Sequence, residues 1–245
     1  MTPPQTTDAA TASQYADAVY GNDGNAPLLR LLPPEARVIL DVGCGAGDNA
    51  ARLRRERPGV VVHGLTLGHE ERALAAPHMD ACHICDVEAD ALPADVAATT
   101  YDAVLLSHVL EHLRHPAVVL RRLAERLRPG GVVLIAVPNV MAWRQRAKLA
   151  AGQFRYTEHG VMDRTHLHFY TFETAATELL GGVPELELVR TATDGAVPLG
   201  PLRRVLLTPA QRERADRAAS DRWPGLFSRQ ILLLARRTDA RRTDA

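Results

Sequence analysis

The sequence predicts an α/β protein built on a doubly wound, mostly parallel sheet of seven strands, with a lid insertion after the fifth strand. Three observations carry this reading. Runs rich in Val, Ile and Leu alternate with stretches of helical length, the pattern of strands covered on both faces. The first such run ends in a glycine-rich turn of the kind that leads from strand to helix. Residues 140–170 then form a long aromatic-containing stretch between the fifth run and the next helical one.

Taken in order, the first 30 residues read as a polar start and a short helix, an N-terminal cap on the domain. Strands are expected at ARVILDVG (36–43), GVVVHGLTL (59–67), ACHICDVE (81–88), YDAVLLSHV (101–109) and GVVLIAVPN (131–139). Helices are expected between them, near 47–56, 69–76, 108–114 and 116–128, with LRPGG (127–131) as a helix stop. TFETAATELLGG (171–182) continues the chain toward two further strands, at 185–193 and 229–237. Residues 1–240 make a single domain, and the repeat RRTDARRTDA (236–245) makes a flexible tail.

Composition narrows the class. The 245 residues are 46% hydrophobic, with 29 basic and 29 acidic side chains that cancel. Such a chain is globular rather than disordered. Its neutrality argues against bulk attraction to nucleic acid or to an anionic membrane. No apolar run reaches the roughly 20 residues of a membrane helix, and the N-terminus lacks a basic-then-apolar leader pattern. Three cysteines imply no disulfide framework and fit a reducing compartment, so the expected location is the cytoplasm. Cys82 and Cys85 of CHIC lie along a strand with no second ligand pair nearby, so they read as core thiols.

The stretch VILDVGCGAGDNAARL (38–53) carries the first chemistry. Gly43, Gly45 and Gly47 let the backbone bend tightly and meet a ligand with no Cβ in the way, just after Asp41 closes the strand. Ligands bind doubly wound sheets beyond the carboxyl ends of the strands. A turn of this kind can also serve only to join strand to helix. The spacing is Gly-x-Gly-x-Gly rather than the Gly-x-Gly-x-x-Gly that cups a dinucleotide pyrophosphate. It favours a nucleoside with an uncharged linker, such as a sulfonium amino acid.

With these residues in view, the chain resembles the class I S-adenosylmethionine-dependent methyltransferases, which are Rossmann-like. VILDVGCGAG looks like their first motif, CDVEADALP like their third-strand motif, and YDAVLLSHVLEHLRHP with LRPGGVVLIAVPN like their fourth and fifth strands. The resemblance implies S-adenosylmethionine as cofactor. Gly43 and Gly45 would border its methionine part beside Asp41, Asp86 and Val87 would sit at the adenine, and Ser107 and His108 would line the far wall. Thr66 stands where such enzymes usually offer an acid to the ribose, in a Gly-Leu-Thr-Leu run that is also found in the cyclopropane fatty acid synthase branch.

A second resemblance covers VPNVMAWRQRAKLAAGQFRYTEHGVMDRTHLHFYTFETAATELL (137–180), which is similar to a branch common in ubiquinone-type, surface-sugar and secondary-metabolite pathways. It implies that 140–170 is the acceptor lid. Trp143, Tyr156, His159 and His168 are the candidate acceptor contacts, although packing against the sheet accounts better for Trp143, Phe154 and Phe169 and about equally well for His159 and His166. The partner is then a small-molecule substrate, with no nucleic acid and no membrane, and the chain is compatible with a homodimer.

The histidines set the chemistry. On a helix, His108, Glu111 and His112 would share one face. His112 is the first candidate for a base that takes the acceptor's proton, oriented by Glu111, with His108 and His166 next. In related branches an acid at the first position joins the Glu-His pair on a divalent ion. LEH is also widespread in methyltransferases that use none, and no metal is expected here. A carboxylate acceptor would need no base and could be held by Arg144, Arg155 or Arg164. Sequence alone leaves open methylation of oxygen, of an amino-sugar or peptide nitrogen, a non-catalytic binding module, and, against the glycine spacing, a nicotinamide-linked oxidoreductase.

Overall fold

The computed structural model describes residues 23–198 and 200–238. Most of the expected N-terminal cap, and the tail from residue 239, lie outside the described residues. In chain order the elements are α1 (Ala26–Leu29), β1 (Val38–Val42), α2 (Asp48–Glu56), β2 (Val61–Thr66), α3 (His69–Ala75), β3 (Ala81–Ile84), α4 (Ala94–Ala98) and β4 (Tyr101–Ser107). There follow α5 (Pro116–Ala124), β5 (Leu127–Pro138), α6 (Trp143–Ala150), α7 (Ala175–Leu180) and β6 (Leu186–Gly195). The last are α8 (Gly200–Leu206), α9 (Pro209–Arg222), α10 (Pro224–Phe227) and β7 (Ser228–Arg237).

One seven-stranded sheet has the order β3-β2-β1-β4-β5-β7-β6, with β7 antiparallel to both neighbours and the other pairings parallel. Strand order reverses between β1 and β4, so a ligand crevice opens there at the carboxyl ends. Alternate residues feed two cores. On β4, Val104 and Leu106 join the layer that holds Leu120 and Leu123 of α5, while Ala103 and Leu105 join the one that holds Leu28 of α1 and Leu53 of α2. Burial on both faces explains why the strands read as continuous apolar runs. Cys44, Cys82 and Cys85 are free and buried. Among the described residues no helix is long and apolar enough to cross a membrane.

Two expectations are corrected. The helix expected over 108–114 is only a 3₁₀ turn, Leu110–His112. His108 interrupts the chain with φ 58, and Pro116 starts α5, which holds His115 out of the helical region at φ −129, ψ 63. His108, Glu111 and His112 therefore do not share a helical face. The fifth strand also begins earlier than expected, at Leu127, which pairs with Tyr101 before a register break on β4.

The insertion leaves the sheet at Asn139 and returns at Tyr170, the two forming a parallel bridge. A second attachment lies just before the return: the backbone N–H groups of Leu167 and His168 donate to the Glu111 carbonyl, at 2.8 and 3.1 Å. These attachments tie the ends of the segment to the sheet and to the turn that follows β4.

Candidate active site

The first wall is the turn from β1 to α2. Gly43 has φ 67, and a Cβ there would lie 2.5 Å from Val109 Cγ2, so only glycine lets this turn reach the β4 end. Gly47 caps α2 at φ 85, where a Cβ would approach Ala75 Cα to 2.9 Å. Beneath the turn Asp41 is fully buried. Its Oδ1 accepts from Asn49 Nδ2 at 3.5 Å, and its Oδ2 has no hydrogen-bond partner. Burial pushes this carboxyl up to about 7 against the lowering bond from Asn49, and Asp48 adds to the rise. An orphaned carboxylate beside a glycine cradle fits the α-ammonium of S-adenosylmethionine, which would satisfy it. Gly43, Gly45 and Asp41 are the residues that would hold that end.

At the neighbouring strand ends, Leu67 and Ile84 are exposed apolar side chains, suited to an adenine face. Asp86 sits just past β3 and spends Oδ1 on its own turn, accepting from Glu88 N at 2.8 Å and Ala89 N at 3.3 Å. The Val87 side chain is buried in the core. Thr66 is buried and donates its hydroxyl to Glu71 in a very short bond, so its side chain is committed within β2–α3. Ser107 Oγ accepts from Asn25 Nδ2 at 3.0 Å.

Asn25 was not singled out from sequence, nor was Gln230, yet they clasp the far wall. Asn25 Nδ2 also donates to Gln230 Oε1 at 2.9 Å, and Gln230 Nε2 returns a bond to Asn25 Oδ1 at 3.2 Å. The two residues are 205 positions apart, so no local pattern could reveal the pair. Their exchange fixes Gln230 Oε1 as an acceptor toward His108 Nε2, 3.1 Å away. On its other side His108 Nδ1 meets Glu111 Oε1 at 3.3 Å. Both ring nitrogens therefore face acceptors, which favours the doubly protonated ring. Partial desolvation opposes that charge, with 43% of the side chain still exposed, but the bond to Glu111, its negative charge and the bond to Gln230 outweigh it, and the His108 pKa is raised.

His112 has the opposite surroundings. Its Nδ1 lies 3.1 Å from Thr165 Oγ1, and the Thr165 hydroxyl is 2.6 Å from Asp163 Oδ1. The single hydroxyl proton goes to the carboxylate, so toward His112 the oxygen accepts. That favours the ring proton on Nδ1. Burial lowers the His112 pKa, Glu111 opposes, and the neighbouring His166 adds to the fall. The sequence reading gave Glu111 the orienting role. In the structure Thr165 and Asp163 hold this ring, while Glu111 bonds His108. The string DRTH already contained both partners, since Asp163 Oδ1 also accepts from Thr165 N at 2.9 Å, but nothing in it pointed to His112.

His166 packs edge-on against His112, centroids 4.7 Å apart, with Nδ1 on the Val161 carbonyl at 3.2 Å. One ligand atom each from Glu111, His112 and His166 fall within 4.8 Å of one another, and Glu111 Oε2 is buried without a partner. These three, rather than a set including His108, could hold a divalent ion.

The candidate acceptor contacts divide. Trp143 and His159 line one cavity beside α6. Tyr156 is 47% exposed, packs on Phe154 and does not line that cavity. His168 stacks on Tyr170, and its Nε2 is buried without a partner.

A methyltransferase-domain family model matches residues 21–177. A ubiquinone biosynthesis O-methyltransferase of Sodalis glossinidius is 34% identical over 158 residues, 61% of this chain and 59% of that protein. One from Serratia proteamaculans is 35% identical over 115 residues, 44% of this chain and 46% of that protein. The chain thus spans well under two thirds of these relatives. A crystal structure of a SAM-dependent methyltransferase from Archaeoglobus fulgidus is 17% identical with a TM-score of 0.57, covering 86% of this chain and 92% of its own. The plantazolicin methyltransferase BpumL, solved with a pentazolic desmethylPZN analogue and SAH, is 17% identical with a TM-score of 0.53, covering 87% of this chain and 86% of its own. At such identities the structural likeness speaks for the fold.

Proposed function

We propose, from the premise that this chain belongs to the class I S-adenosylmethionine-dependent methyltransferases, that it methylates a hydroxyl oxygen of a small molecule in the cytoplasm. S-adenosylmethionine, when bound, supplies an already activated sulfonium methyl. The protein's own tasks are then to align the acceptor, exclude water and take one proton.

The observation that carries the reading is the Asp163–Thr165–His112 chain. It supports a neutral His112 as the group that accepts the hydroxyl proton, and Thr165 and Asp163 as positioning residues. The lowered pKa keeps this base unprotonated at neutral pH. His108, held as a donor on both nitrogens, suits the wall of the site better than the base. The insertion, attached at Asn139, Tyr170 and Glu111, covers the methyl-transfer point as the acceptor lid. A second reading rests on the Glu111, His112 and His166 cluster, in which a divalent ion would lower the acceptor's pKa instead.

A labelled-methyl screen over hydroxyl, carboxylate and amine acceptors tests the proposal, with and without a chelator. Chelator-resistant methylation of a hydroxyl is expected. Transfer to amines alone would replace the reading with N-methylation, and transfer to nucleic acid alone would overturn it. Loss with chelator and recovery with a divalent ion would favour the second reading.

A further inference from the structure

Beyond the end of β5 lies a cavity of about 310 Å³ between α6, the insertion and the start of β7. Its wall carries the cations Arg144, Lys148 and Arg229, with apolar surface from Trp143, Val161 and Met162. No acidic side chain lines it among the described residues. The whole chain balances 29 basic against 29 acidic residues, so three cations without an acid in one cavity depart from its average. Arg229 has a partner outside, Asp194 at 3.2 Å. Arg144 instead lies over the Trp143 ring, 5.4 Å from its centroid, and neither Arg144 nor Lys148 has an ion-pair partner among the described residues.

Arg144, Lys148 and Arg229 are all solvent-exposed, and a cluster of one sign attracts an anion to the cavity they border. A guanidinium offers such an anion a planar fork of N–H donors. The volume also decides something: a dry cavity of about 150 Å³ accepts a benzene ring, so this one has room for a ring with an oxyanion attached.

A short chain of bonds links the cavity wall to His108. Arg229 Nη2 and Gln230 Nε2 both donate to Asp194 Oδ2, at 3.2 and 3.4 Å, and Gln230 Oε1 faces His108 Nε2 at 3.1 Å.

We propose that this cavity binds an oxyanion of the acceptor, a carboxylate or phosphate monoester carried on a ring-sized molecule whose hydroxyl is turned toward His112. The inference rests on the methyl-transfer reading and adds the class of acceptor to it.

Calorimetry with benzoate, phenyl phosphate and uncharged benzamide tests it, using the full chain and a double variant, Arg144→Gln with Lys148→Gln. S-adenosylhomocysteine affinity is measured in both proteins. Benzoate or phenyl phosphate should bind the parent at least tenfold more tightly than benzamide and at least tenfold more tightly than they bind the variant. The tighter of the two names the oxyanion. S-adenosylhomocysteine should bind both proteins alike. If it does so while the anions show no binding, no preference over benzamide or no loss in the variant, the anion site is wrong and methyl transfer stands. If S-adenosylhomocysteine fails to bind the parent, both readings fall.

Discussion

His108 and His112 are four residues apart, yet their surroundings move their pKa values in opposite directions. Around His108, two fixed acceptors, Glu111 and Gln230, face both nitrogens, and the pKa rises against partial desolvation. Around His112, a hydroxyl already committed to Asp163 faces Nδ1, and burial carries the pKa down against Glu111 and a backbone hydrogen bond to Thr165. Asp41 obeys the same logic as His112: with one long bond and one orphaned oxygen, burial keeps it neutral up to about pH 7. Desolvation favours the uncharged form at all three sites, although the His108 side chain stays 43% exposed. Only where a buried carboxylate stands directly against the ring does the partner win.

The sharpest way to break this contrast is His112→Ala. Turnover should fall about 10²–10⁴-fold, the usual contribution of a general base, while calorimetry shows unchanged S-adenosylhomocysteine affinity. In the parent, turnover should rise with pH through a midpoint below the ordinary histidine value of 6.5 and level off above it, because the neutral ring is the active form.

Asp41 gives the next largest effect. Its folded pKa is raised, so between about pH 4 and 7 the folded chain binds more protons than the unfolded one. Stability from this group is therefore lost as pH rises through that window. The total is bounded at roughly 4 kcal/mol, about three pH units at 1.36 kcal/mol each. Asp41→Asn should flatten that slope in urea melts taken without added nucleoside.

Thr165→Val removes one hydrogen bond from the base and should slow turnover about 2–10-fold, the kinetic equivalent of ~0.5–1.5 kcal/mol, while leaving S-adenosylhomocysteine affinity intact. His108→Gln should have the smallest effect on the acid limb of the rate profile and leave its midpoint in place. A limb that moved with His108 instead would reverse the assignment.

The two halves of the site differ in how far sequence could reach them. The strands and the glycine turn depend on near neighbours: apolar runs specify doubly covered strands, and the spacing of Gly43, Gly45 and Gly47 specifies a close backbone approach. The state of each histidine depends on partners brought from elsewhere. Gln230 reaches His108 across 122 positions, and Thr165 reaches His112 across 53. The assumed helix over 108–114 also hid the contrast, because it would place both rings on one face with Glu111. A positive φ at His108 and a proline at 116 turn them apart. Thr66 shows the same limit: the missing ribose acid was legible, but not that the threonine hydroxyl is already bound to Glu71.

The contrast can be read without knowing the acceptor. Long-range ¹H–¹⁵N spectra of the histidine rings, recorded across a pH titration and assigned through His108→Gln and His112→Ala, report tautomer and charge at each nitrogen. His112 should appear as the Nδ1–H tautomer with a midpoint below 6.5, and His108 should stay doubly protonated to a higher pH than an ordinary histidine. The reverse order, with His108 neutral while His112 remains charged, would contradict the account and remove His112 as the base.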